Sequence, residues 1–207
     1  VLSVVGVISY FLVSANAALA GPFTLVGAFG GLALVLIATF GRKQDNPAIV
    51  LTYAALEGLF LGAISFVLAN FRVSGASAGA LIGQAILGTV GVFFGMLVVY
   101  KTGAIRVTPK FTRMLVAALI GALVLMLGNF LISMFSTHDG GPLRNGGTMA
   151  IIFSLVMIVI AAFSFLVDFD SADQMIRAGA PEKAAWGIAL GLTVTLVWLY
   201  LEILRLL

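Results

Sequence analysis

The chain contains no cysteine, a single histidine and very few charges. Without cysteine, neither a disulfide nor a thiol-ligated metal can form. The one histidine, His138, sits in the Gly-rich stretch His-Asp-Gly-Gly-Pro. It argues against a His-based metal cluster or a catalytic triad. Charged residues are 9% of the 207 positions, where a soluble domain carries about 25%. No nucleophile–base arrangement, metal cluster or phosphate loop is apparent, so the chain reads as no enzyme. The formal net charge of +3 is not a nucleic-acid signal, because the basic residues sit in connectors between apolar runs. No charged segment precedes the apolar stretch at Val1–Leu12, which reads as a clipped first span rather than a signal peptide. The last run is cut at Leu207 in the same way, so both termini are expected to be incomplete.

Apolar residues fill the space: they make up 62% of the chain. Too little polar surface remains to cover such a core in water, and the natural solvent is the lipid bilayer. A helical span needs about 20 largely apolar residues. Seven candidates appear within one transmembrane domain, at about 1–14 (partial), 22–40, 48–71, 78–100, 114–135, 149–167 and 184–207. Their lack of period-2 alternation makes strands a poor alternative, and they do not read as a barrel. Turn chemistry separates them: Asp45-Asn46-Pro47, Ser74-Gly75, Thr108-Pro109, Gly140-Gly141-Pro142 and Gly179-Ala180-Pro181. The connectors between spans 2–3, 4–5 and 6–7 hold Arg42, Lys43, Lys101, Arg106, Lys110, Arg113, Arg177 and Lys183, against Arg72 and Arg144 opposite. This asymmetry predicts a cytoplasmic N-terminus and an external C-terminus. Gly79, Gly83, Gly88, Gly91 and Gly95 in span 4, Gly58 and Gly62 in span 3, and Gly187 and Gly191 in span 7 predict close helix packing.

Acidic residues lie where lipid should be. A charge at membrane depth costs at least ~2.5–3.5 kcal/mol on insertion scales, so such groups face protein and mark function. Glu57 is roughly 14 Å into span 3, with no basic residue in its own span. It is either a protonated core residue or a group that titrates near physiological pH. Asp168 and Asp170 close span 6 at the cytoplasmic mouth and point to different faces. Ser164 and Asp168 form a polar stripe at i,i+4 that favours Asp168 as the inward one, while Asp170 and Asp173 read equally as a solvated helix end. As hard oxygen ligands, Asp168 and Asp170 also suit Ca²⁺. On span 7, Gly187, Gly191, Thr195, Trp198, Glu202 and Arg205 share one face that should meet protein. Glu202 and Arg205, spaced i,i+3, can pair as a structural ion pair or as a pore element.

Three stretches carry a resemblance: Tyr53-Ala-Ala-Leu-Glu-Gly-Leu-Phe-Leu-Gly62, Phe163-Ser-Phe-Leu-Val-Asp-Phe-Asp170 and Leu199-Tyr-Leu-Glu-Ile-Leu-Arg-Leu-Leu207. Over its whole length the chain resembles the Bax inhibitor (transmembrane Bax inhibitor motif) family, most of all the bacterial YccA-like branch in an actinobacterial version. The resemblance implies an all-α membrane protein with six helices around a central seventh, C-terminal one. It implies a multi-pass protein of the bacterial inner membrane that is a pH-regulated calcium leak, gated by a protonated pair of aspartates. Calcium would be transported or weakly bound, with no resident cofactor. Asp168 or Asp170 matches the first aspartate. The second falls on Glu202 in one register and on Thr195 in the other. Depth disfavours Glu202, which lies about 27 Å from the cytoplasmic end of span 7. With Thr195 in that place the two-aspartate switch is incomplete, and Glu57 becomes the candidate partner of Asp168. The branch also implies a different role, as a regulator that binds a membrane-anchored ATP-dependent protease. A proton-coupled transporter ranks last, because no inverted repeat or broken helix is evident.

Overall fold

The computed structural model describes residues 1–72, 78–135, 143 and 147–207. The connectors Ser74-Gly75 and Gly140-Gly141-Pro142 lie outside the described residues, as do His138, Arg144 and the side chain of Arg72. Among the described residues the chain is all-helical: α1 (Leu2–Ala15), a short 3₁₀ turn (Ala17–Leu19), α2 (Ala20–Phe40), α3 (Pro47–Arg72), α4 (Ala78–Thr102), α5 (Pro109–Phe135), α6 (Thr148–Arg177) and α7 (Ala184–Leu206). Six of the helices are long and apolar enough to cross a membrane, and α1 is a shorter apolar helix.

Local chemistry explains the helix ends. Two of the Pro-containing turns are helix starts. The Asn46 side chain accepts from the Ala48 N–H at 2.9 Å, and the Thr108 hydroxyl accepts from the Phe111 N–H at 3.2 Å. Each cap precedes a proline in the first helical position, where a missing N–H costs nothing. Helix α5 therefore begins five residues before its apolar run. Gly103 and Gly179 stand just beyond α4 and α6 with φ near +65°, the left-handed conformation that closes a helix. The largest difference from the hydropathy reading is in α6, which continues ten residues past Val167 to Arg177. Pairs at i,i+4 hold that polar extension: Asp170 with Gln174 at 2.6 Å and Asp173 with Arg177 at 2.8 Å.

Helix α3 packs against α1, α2, α4 and α7, and α7 packs against α3, α4 and α6. Glycines set the closest seams. A Cβ at Gly58 would meet the Leu2 carbonyl oxygen at 2.6 Å, and one at Gly62 would strike the Gly6 carbonyl and Ser9, so α1 lies directly on α3. A Cβ at Gly27 would sit 2.6 Å from the Phe60 Cβ, so α2 does the same on the other side. The packing expected at the span-4 glycines is overturned. Around Gly79, Gly83, Gly91 and Gly95 an added Cβ meets nothing within 4 Å. These four lie away from neighbouring helices, and only Gly88 approaches one, at Ile203. Instead, α4 packs on α6 through aromatic edges, with Phe93 against Phe165 and Phe169 at centroid separations of 5.4 and 5.5 Å. The outward faces are largely apolar, with Leu87 and Phe29 among many exposed side chains, as a lipid solvent favours.

Candidate functional site

Asp168 lies within α6 rather than at its last turn. It is nine residues from the Arg177 end of α6, roughly 14 Å at about 1.5 Å per residue. Its partner is on α7. The Thr195 hydroxyl donates to Asp168 Oδ2 at 2.7 Å, and the same hydroxyl lies 3.2 Å from the Gly191 carbonyl oxygen. A hydroxyl has one proton, and the shorter bond to the carboxylate takes it. Gly191 lies beside the carboxylate, where a Cβ would make an ordinary contact at 3.8 Å from Asp168 Oδ1. Thr195 is buried, Asp168 half-buried. Of the two registers left open for the second acid, the one that falls on Thr195 is the one that meets Asp168.

Asp170 faces elsewhere. The Tyr100 hydroxyl, on the last turns of α4, lies 3.4 Å from Asp170 Oδ1 and 3.3 Å from Asp173 Oδ2. The two aspartates thus address different helices. Among the described residues, no group of three or more His, Cys, Asp and Glu side chains gathers as a metal site.

Glu57 is buried between α3 and α2 and bonds to the Tyr53 hydroxyl one turn before it. Its carboxyl occupies the space over Gly31, where a Cβ would come within 2.6 Å of Oε1. The pairing of Glu57 with Asp168 expected from depth is not what forms: each carboxyl has its own partner, and no hydrogen bond joins them. The two sites are nonetheless close in the fold, because Leu190, next to Gly191, packs in one cluster with Tyr53, Val50 and Ala38. Tyr53 and Gly31 escaped the sequence reading. The Tyr53–Glu57 spacing of four residues on one helix was the available signal.

Glu202 and Arg205 form an ion pair at 3.1 Å near the far end of α7. The guanidinium also donates to the Ser154 hydroxyl of α6 at 3.0 Å and lies over the Phe153 ring, 5.9 Å from its centroid. Seven residues separate Glu202 from Thr195, about 10 Å along the helix axis. This pair is a separate place from Asp168.

The Lys183–Asp45 bridge at 3.4 Å joins the α6–α7 and α2–α3 connectors. Tyr100 brings the end of α4 to the end of α6. The three basic connectors therefore share one end of the bundle.

Seven apolar helices in this order, with acids inside them, call for comparison with known families. The profile of the Bax inhibitor 1 like family matches residues 1–207. The chain belongs to the Bax inhibitor 1 like family. No curated protein matches it closely enough to add a relative. As a family member with six helices of membrane-crossing length, it is a multi-pass membrane protein.

Proposed function

We propose that this Bax inhibitor 1 like protein is a pH-regulated calcium (cation) leak channel of the bacterial inner membrane, in the YccA-like branch and of actinobacterial type. In this reading it is no enzyme, and calcium is cargo. Asp168 is the gating group, and the observation that carries the reading is its 2.7 Å bond to Thr195.

Ionised Asp168 can only accept, so it commands the Thr195 proton and ties α6, two thirds of the way along, to the middle of α7. A bond to a carboxylate is about twice as strong as one between neutral groups. Protonated Asp168 becomes a donor. Thr195 then accepts from it and turns its own proton to the Gly191 carbonyl oxygen, 3.2 Å away. One proton thereby removes a charge from the interior and weakens the α6–α7 tie. Threonine in place of a second aspartate makes this a one-carboxyl switch. Asp170 tunes the basic mouth through Tyr100, Glu57 is a second protonatable group in the α2–α3 seam, and Glu202–Arg205 fastens the far end.

The contacts of α7 with α3, α4 and α6, and the reach of Leu190 to Ala38 on α2, support an arrangement of six helices around α7. The clustering of basic connectors at one end supports a cytoplasmic N-terminus and an external C-terminus.

Calcium entry into proteoliposomes tests the reading. Flux above that of empty vesicles, altered by Asp168→Asn, is the expected result. Sealed vesicles containing folded protein would reject the channel and favour the binding of a membrane-anchored ATP-dependent protease.

A further inference from the structure

A cavity of about 560 Å³ opens between α1 and α4 and is floored by α3 and α7. It is within the range of small-molecule sites, roughly 300–1,000 Å³. Among the described residues, no charged side chain lines it. An apolar cavity of even about 150 Å³ stays dry and takes apolar guests. The wall residues Phe11, Ile86 and Val90 are 65%, 50% and 44% exposed and continue the outward apolar face of the bundle. The cavity is therefore reached from the lipid side.

Its polar end is specific. The Ser65 hydroxyl lies 2.5 Å from the Leu61 carbonyl oxygen and 2.7 Å from the Tyr200 hydroxyl. Serine has one proton, and the Leu61 carbonyl can only accept. Tyr200 must then donate to Ser65, which leaves acceptor capacity on the Tyr200 oxygen beside the cavity. Tyr200 is sixteen residues from the start of α7, roughly 24 Å along a core about 30 Å thick. The acceptor lies near the interface opposite the basic connectors. From there the cavity runs inward past Leu196 to Thr193, about 10 Å deeper. That is the layout of a lipid whose hydroxyl sits near the interface while its chain points to the bilayer centre.

We propose that this cavity holds the acyl chain of a hydroxyl-bearing lipid of the glyceride type, whose hydroxyl donates to the Tyr200 oxygen. The site does not depend on ion conduction and is tested without it. The probe is 1-palmitoylglycerol carrying a diazirine in its chain, irradiated with the full chain in phosphatidylcholine vesicles. Adducts should concentrate on residues 82–90 and 193–200, and excess unlabelled 1-palmitoylglycerol should remove them. Capping both probe hydroxyls as methyl ethers should lower that labelling about fivefold, the value of one hydrogen bond. Tyr200→Phe should abolish the preference for the free hydroxyl while keeping the chain adducts, and Ile86→Trp should block both. Adducts spread evenly over all lipid-facing helices would overturn the proposal. So would equal labelling by the capped probe, or a dimer cross-linked through α1 and α4 that excludes the probe.

Discussion

The α2–α3 seam allows a sharp test of how the bundle is held. Replacing Gly27 with Ala puts a Cβ 2.6 Å from the Phe60 Cβ and 2.7 Å from the Leu56 carbonyl oxygen. Carbon atoms pack at about 3.5–4.0 Å, so the shortfall is about 1 Å. The obstacles are backbone and a Cβ, which no rotamer change can withdraw, so α2 must move off α3. Overpacking of this kind costs roughly 1–3 kcal/mol. At Gly91 the same added methyl meets nothing within 4 Å. There only the gain in helix propensity remains, up to about 1 kcal/mol. Unfolding in detergent, followed by loss of helical circular dichroism, compares the two variants directly. The propensity gain is common to both helices, so Gly27→Ala should be the less stable by the overpacking cost, roughly 1–3 kcal/mol. Equal stability would refute the assignment of tight packing to α2–α3 and of open surface to α4.

Three further outcomes follow from the same contacts. Tyr53→Phe removes the hydroxyl that serves buried Glu57 and should cost about 1–3 kcal/mol in the same unfolding assay, whereas Tyr53→Phe combined with Glu57→Gln should recover part of the loss. Arg205→Met strips the cation from Glu202, which is 4% exposed, and should cost about 3–5 kcal/mol; adding Glu202→Leu should restore most of it in a double-mutant cycle. Lys183→Ala breaks a bridge between exposed side chains and should change stability by less than about 1 kcal/mol.

Hydropathy located the helices but not all of their ends, and the reason is physical. A window on apolar residues stops at Val167, because Asp168, Asp170 and Asp173 follow. The backbone does not stop there, since i,i+4 pairing with Gln174 and Arg177 continues the helix. The apolar window thus ended span 6 at Asp168, whereas the helix itself runs nine residues further. In α5 the same window missed the turn begun by Thr108 and Pro109. Glycine spacing was legible but ambiguous. It cannot say which of several Gly-bearing faces meets a neighbour, and the richest one, on α4, faces outward. Thr195 came into view only through one register of the family resemblance, whereas depth counting pointed to Glu57 as the partner of Asp168. Glu57 was found from its charge, while its setting was not: the space it fills is made by Gly31 on another helix, and no local pattern encodes that contact.

The central claim is that a single carboxyl, Asp168, senses the proton. The most direct measurement is the pH profile of calcium flux between pH 6 and 8 for the wild type, Asp168→Asn and Glu57→Gln, side by side in proteoliposomes. The wild-type curve should fit one proton, without the two steps of a coupled pair. The profile should be flat for Asp168→Asn and the pH response retained for Glu57→Gln. A wild-type pH response surviving in Asp168→Asn, or vanishing only in Glu57→Gln, would contradict the claim.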